Sequence, residues 1–138
     1  MIAFLDMKSV YGELKPELDA AYHRVMESGW YVLGKEVEAF EAEYAAFCGT
    51  PHCIALGNGL EALELVLRGW DIGPGDEVIV PSNTYIATWL AVTAVGAKVV
   101  PVEPVPGGPN IDPGRIAAAT TPRTRAIMPV HLYGEPAD

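Results

Sequence analysis

The sequence predicts an α/β protein whose mostly parallel sheet is covered by helices on both sides. Three observations predict it. From residue 52 onward, short apolar runs alternate with helical patterns. Runs such as Val78-Ile79-Val80 are apolar at consecutive positions, as in strands buried on both faces. Loops rich in Gly and Pro separate the elements.

The elements follow in order. Leu18, Ala21, Tyr22, Val25 and Met26 recur at helical spacing over Pro16 to Ser28, with Pro16 suited to the first turn and Gly29 to the stop. Trp30, Tyr31, Val32, Leu33 and Gly34 make a short apolar link. A second helix runs from Lys35 to Cys48, with Val37, Phe40, Tyr44 and Phe47 on one face and Gly49 at its end. His52 to Leu56 reads as a short buried strand and Gly57-Asn58-Gly59 as a tight turn. Leu60 to Arg68 reads as a helix with Leu63, Val66 and Leu67 inward. Gly73-Pro74-Gly75-Asp76 is a loop, Glu77 to Val80 a strand closed by Pro81, and Thr84 to Val95 an apolar helix ended by Gly96. Lys98 to Val102 is a strand, Glu103 to Asp112 a loop and Pro113 to Ala119 a short helix. Arg125 to Val130 is a further strand, followed by His131-Leu132-Tyr133-Gly134. Strands thus alternate with helices four times. The chain divides into an N-terminal helical segment, 1–50, and the first part of an α/β domain, 51–138.

Composition narrows the function classes. Half of the 138 residues are apolar and a fifth are charged, as in an ordinary globular protein. The formal net charge is −9 with basic residues thinly spread, which disfavours nucleic acid as a partner. No apolar run approaches a membrane span, so no membrane association is expected. Asp6 interrupts the apolar start, so no secretory signal is expected and the location is read as cytoplasmic. Cys48 and Cys53 fit free thiols in a reducing compartment, and no spacing suggests a metal site. The chain stops at Asp138 in a loop directly after a strand, which suggests a piece of something longer.

In parallel sheets ligands bind beyond the carboxyl ends of the strands. Gly57–Leu60, Pro81–Tyr85, Glu103–Pro109 and His131–Gly134 lie at that edge. Gly57-Asn58-Gly59-Leu60 is the most informative stretch. Two glycines before a helix let backbone approach a ligand, and the N–H groups of Gly59, Leu60 and Glu61 at the helix start suit an anion. Gly57-x-Gly59-x-x-Ala62 also fits a dinucleotide fingerprint, but the carboxyl end of the next strand, Val80-Pro81-Ser82, lacks the required acid.

Five stretches in one register resemble the DegT/StrS group of sugar aminotransferases. They are Gly34 to Glu41, Gly57 to Leu63, Gly73 to Pro81, Asn83 to Thr88 and Pro122 to Gly134. Within that group the chain looks most like enzymes that aminate a 3-keto, 6-deoxy sugar carried on dTDP. The resemblance implies the fold-type-I architecture of pyridoxal 5'-phosphate (PLP) enzymes, with 51–138 forming part of the large PLP-binding domain. It implies a homodimer with active sites at the subunit interface, and L-glutamate and a dTDP-sugar as substrates in deoxyaminosugar and antibiotic biosynthesis.

It also implies roles for residues. Gly57, Asn58, Gly59 and Leu60 match the turn that holds the cofactor phosphate, although Leu60 stands where many members have Thr, which removes one side-chain hydrogen bond. Tyr85 matches the aromatic that stacks on the pyridine ring. Trp89, one turn further on, fits core packing or a pocket wall. His131, Tyr133 and Tyr31 are further pocket candidates, each with a structural role as the alternative. The lysine that carries the cofactor, the aspartate facing its ring nitrogen and a phosphate-binding serine come later in the family than Asp138. Lys8, Lys15, Lys35 and Lys98 do not substitute for that lysine, so this chain alone is expected to be inactive. Two alternatives remain: a PLP-dependent sugar dehydratase of the same fold, and a truncated relative that binds a ligand without catalysis.

Overall fold

A computed structural model describes residues 4–138, so the first three residues of the segment read above for a secretory signal lie outside it. The chain forms two compact units, one ending at Ala55 and one spanning Leu56–Asp138. The first unit holds two helices. Helix α1 spans Met7–Ser28 and starts nine residues before the expected Pro16. Asp6 accounts for the early start, because its carboxylate accepts from the Ser9 N–H at 3.1 Å. Pro16 therefore sits inside the helix. Its ring faces the carbonyl of residue 12 there, and that residue is Gly12. Gly29 ends α1 in the left-handed conformation, φ 67°.

Helix α2 spans Lys35–Cys48 and ends on Gly49. Its expected inward face is only partly buried: Val37 is half-buried, while Phe40, Tyr44 and Phe47 are exposed. Phe40 stacks on Tyr44 at 5.5 Å, and Tyr44 contacts Phe47 at 6.1 Å. Periodicity identified a shared face, and a shared face is not by itself a covered one. Leu18, Tyr22 and Met26 of α1 are likewise exposed. His52–Leu56 is not a strand. The Glu41 carboxylate takes the Ala55 N–H at 2.7 Å, a donor that a strand ladder would need, and Ile54 is exposed.

The second unit is built on three parallel strands, one fewer than expected. They are β1 (Glu77–Pro81), β2 (Lys98–Val102) and β3 (Thr124–Ile127), in the order β2-β1-β3. β3 stops three residues short of the expected Val130, since its pairing with β1 reaches only Ile79↔Ile127. Every residue of β1 is buried. Val78 and Val80 pack with Leu67 of α3 (Gly59–Gly69) and with Ala91 and Val92 of α4 (Ala87–Ala94). Ile79, on the opposite face, packs with Val102 and Ile111, flanked by Ile116 and Ala119 of α5 (Pro113–Ala119). Alternate β1 residues thus serve two separate clusters, which is why the run reads as continuously apolar. Val66, expected inward on α3, is exposed.

Helix α4 begins at Ala87 rather than Thr84. Side-chain bonds hold the preceding residues out of the helix: the Thr84 hydroxyl bonds that of Thr88 at 2.9 Å, and the Asn83 amide donates to the Pro109 carbonyl at 2.9 Å. The amino ends of the strands are joined by Glu77. This buried carboxylate accepts from Thr121 at 2.6 Å, from Arg123 at 2.9 Å and from Lys98 at 3.1 Å. Those bonds hold its pKa down to about 2, the Thr121 hydroxyl contributing most and Arg123 next. No helix among the described residues is long and apolar enough to cross a membrane.

Candidate active site

Asn58 has an extended backbone and caps α3, its side-chain oxygen accepting from the Glu61 N–H at 3.0 Å. Its own carbonyl accepts from the Ala62 N–H. The N–H groups of Gly59 and Leu60 have no acceptor among the described residues. Two unpaired donors at the positive end of an 11-residue helix can hold an anion such as a phosphate. A Cβ added to Gly59 would meet nothing within 4 Å, so the side of the turn beside this residue is open. The Leu60 side chain does not face that space alone, since it packs against the α3–α4 core cluster.

Glu61 is a feature the sequence reading passed over as a carboxylate. A Cβ on Gly57 would lie 2.7 Å from its Oε2, so this acid folds back over the turn. The signal for it was present: an acid three residues after a capping Asn is the capping-box spacing.

Tyr85 precedes α4 and is 76% exposed, with its ring free to meet a flat ligand. Trp89 is half-buried in the α3–α4 cluster, and its indole N–H donates to the Pro81 carbonyl at 3.1 Å. Leu60 and Trp89 are thereby brought to one cluster.

At the exit of β3, His131 is exposed and its Nδ1 accepts from the Ala137 N–H at 2.9 Å, which puts the proton of the neutral ring on Nε2. Tyr133 is exposed at φ 56° within the short 3-10 turn Leu132–Gly134. Buried Asn110 ties this turn to the β2–α5 loop, accepting from the Leu132 N–H at 3.0 Å and donating to the Glu135 carbonyl at 2.9 Å. Neither Asn83 nor Asn110 was singled out from sequence, because their partners lie more than twenty residues away. Tyr31 lies in the first unit, lining a cavity of about 660 Å³ with Arg24, Trp30, Leu33 and Glu36. Cys48 and Cys53 are free thiols, and no cluster among the described residues has the acids, His or Cys to hold a metal ion.

The donor set fits a phosphorylated cofactor with a flat ring: backbone N–H groups for the phosphate and an exposed aromatic for the ring. The chain is 60% identical over 137 residues to dTDP-3-amino-3,4,6-trideoxy-alpha-D-glucose transaminase of Streptomyces venezuelae, a match spanning 99% of this chain and 36% of the relative. It is 54% identical over 138 residues to dTDP-3-amino-3,6-dideoxy-alpha-D-galactopyranose transaminase of Aneurinibacillus thermoaerophilus, spanning all of this chain and 38% of the relative. This chain thus spans under two fifths of the length of these curated relatives.

The crystal structure of S. venezuelae DesV in complex with a ketimine intermediate superposes with a TM-score of 0.93 at 60% identity, covering 99% of this chain and 37% of that one. NtdA from Bacillus subtilis, solved with bound cofactor PMP, superposes with a TM-score of 0.80 at 33% identity, covering 99% of this chain and 30% of that one. The parallel sheet and its helices are those of the PLP aminotransferases of this group. The DegT/DnrJ/EryC1/StrS aminotransferase family matches residues 13–138, and the chain belongs to that family.

Proposed function

We propose that the protein to which this chain belongs is a PLP-dependent transaminase acting on a dTDP-linked keto-deoxysugar. The keto group is read at carbon 3 of a 6-deoxyhexose, and L-glutamate as the amino donor, in deoxyaminosugar biosynthesis. The observation that carries the reading is the pair of unpaired N–H groups at Gly59 and Leu60, in a chain 54–60% identical to dTDP-sugar transaminases. Residues 51–138 are read as the first part of the large cofactor-binding domain. The lysine that carries the cofactor is placed beyond Asp138, so this stretch alone is inactive. The enzyme is read as a cytoplasmic homodimer.

The chain's own residues bind and orient. Gly59 and Leu60 would donate to the phosphate, which the dipole of α3 favours. Asn58 takes the Glu61 N–H and so sets the direction of the first turn. Tyr85 would stack on the cofactor ring, orienting it and excluding water. Trp89 serves as a wall beneath that turn rather than a stacking partner. His131 and Tyr133 are read as bordering the pocket. Bound there, PLP supplies the electron sink that lets an amino group leave a donor and pass to a keto carbon.

The test is the absorption spectrum of the full-length protein with PLP, before and after L-glutamate. A band near the visible edge that moves to shorter wavelength on adding glutamate supports transamination. A bound-PLP spectrum that glutamate leaves unchanged would favour the dehydratase, and absence of PLP binding would leave only a non-catalytic ligand-binding protein.

A further inference from the structure

The turn between β1 and α4 leaves Tyr85 76% exposed, so packing of the ring itself does little to fix its direction. Its backbone is nevertheless tied down on several sides. The Ser82 N–H donates to the Val102 carbonyl at 2.9 Å, and the Asn83 amide reaches the Pro109 carbonyl at 2.9 Å. The Thr84 and Thr88 hydroxyls pair at 2.9 Å, and the Thr88 N–H donates to the Tyr85 carbonyl at 3.1 Å. The Trp89 indole returns from α4 to the carbonyl of fully buried Pro81 at 3.1 Å.

We propose that Trp89 and Asn83 are positioning residues for Tyr85, fixing the Pro81–Ile86 turn from opposite ends so that the ring meets the cofactor already oriented. This rests on the reading of Tyr85 as the cofactor's stacking partner. Trp89 acts from the helix side, on the last residue of β1. Asn83 acts from the loop side, on the connection between β2 and α5. With both bonds in place the turn has one shape, and the cofactor need not order it on binding. Trp89→Phe keeps the apolar contact of the ring with the α3–α4 cluster and removes only the donor. Asn83 is exposed, and Asn83→Ala removes its tie with no loss of core.

The test uses the full-length protein carrying Tyr85→Ala, Trp89→Phe or Asn83→Ala, and the two double variants with Tyr85→Ala. PLP affinity is measured by equilibrium dialysis, with the visible circular dichroism of the bound cofactor as a second readout. The unfolding temperature of each PLP-free variant is recorded alongside. Tyr85→Ala is expected to weaken PLP binding. Trp89→Phe and Asn83→Ala are each expected to weaken it roughly threefold to tenfold, the scale of one lost hydrogen bond, and to alter the dichroism. In the Tyr85→Ala background neither should weaken binding further, because a residue that acts through Tyr85 has nothing left to position.

Equal weakening in both backgrounds overturns the proposal for the residue concerned, and so does no weakening while Tyr85→Ala does weaken binding. If Tyr85→Ala binds PLP as the parent does, the stacking role itself is wrong and the positioning role falls with it. The single variant separates those two failures. Should Trp89→Phe fail to fold, the Asn83→Ala cycle decides.

Discussion

The carboxylate of Glu77 and the guanidinium of Arg123 meet at 2.9 Å where β1 and β3 begin. Thr121 and Lys98 complete the ring of donors around the same carboxylate, which is 1% exposed and has its pKa lowered from 4.5 to about 2. A lowered folded-state pKa means that the folded state prefers the charged form. The resulting stabilisation is therefore full above pH 4.5 and is lost as the pH falls toward 2. Glu77→Gln should lower the urea midpoint at pH 7 and flatten its fall across that acid window. A variant whose midpoint tracks the parent at every pH would show that the contacts contribute nothing net.

Asn58 and Gly59 should separate folding from ligand binding. Asn58→Ala removes the α3 cap and should cost about 1 kcal/mol of stability by chemical denaturation. Gly59 adopts an ordinary helical backbone, and an added Cβ meets nothing within 4 Å. Gly59→Ala should therefore leave stability unchanged or raise it by about 0.4–1 kcal/mol, while weakening PLP binding by obstructing the approach to its N–H.

Gly34 should be among the least replaceable positions of the first unit. Its φ of 88° and ψ of −167° fall in a region open in practice only to glycine. A Cβ there would also lie 2.7 Å from Cδ1 of Trp30, whose indole N–H is held by the Val32 carbonyl at 2.7 Å. Gly34→Ala should cost about 1–3 kcal/mol, read as a fall in the unfolding midpoint.

Leu67 is 1% exposed and joins α3 to the cluster beneath α4. Leu67→Ala should cost about 2–5 kcal/mol by denaturant titration. Val66→Ala, one residue away and exposed, should change stability by about 0.5 kcal/mol or less.

The bounds of α2, β2 and α5 were legible from local patterns, because each is bracketed by a residue with its own backbone chemistry. Gly49 takes the left-handed turn after α2, and Pro113 stands at the first position of α5 behind the capping Asp112. Legibility failed where a side chain competed with the backbone. Asp6 started α1 early, Glu41 removed the donor that His52–Leu56 needed as a strand, and Thr84 and Asn83 delayed α4. In the candidate site, the α3 turn was legible because glycines and a capping Asn announce it. The ties made by Asn83, Asn110 and Trp89 were not, since each depends on which carbonyl the tertiary fold presents to it.

The ring around Glu77 also implies an order of assembly. Lys98 lies 21 residues away along the chain and Arg123 lies 46, so the two partners close loops of very different length on one carboxylate. Each doubling of a flexible loop adds about 0.6 kcal/mol to closure, which favours the β1–α4–β2 pairing as the earlier event. Arg123 and Thr121 arrive with β3, and only then does Glu77 gain its full set of donors. Mutations at Lys98 should thus alter the refolding rate, whereas those at Arg123 should act mainly on the rate of unfolding. The contacts of Arg123 and Thr121 with this buried acid at the head of the central strand would then serve as the latch that closes last and opens first.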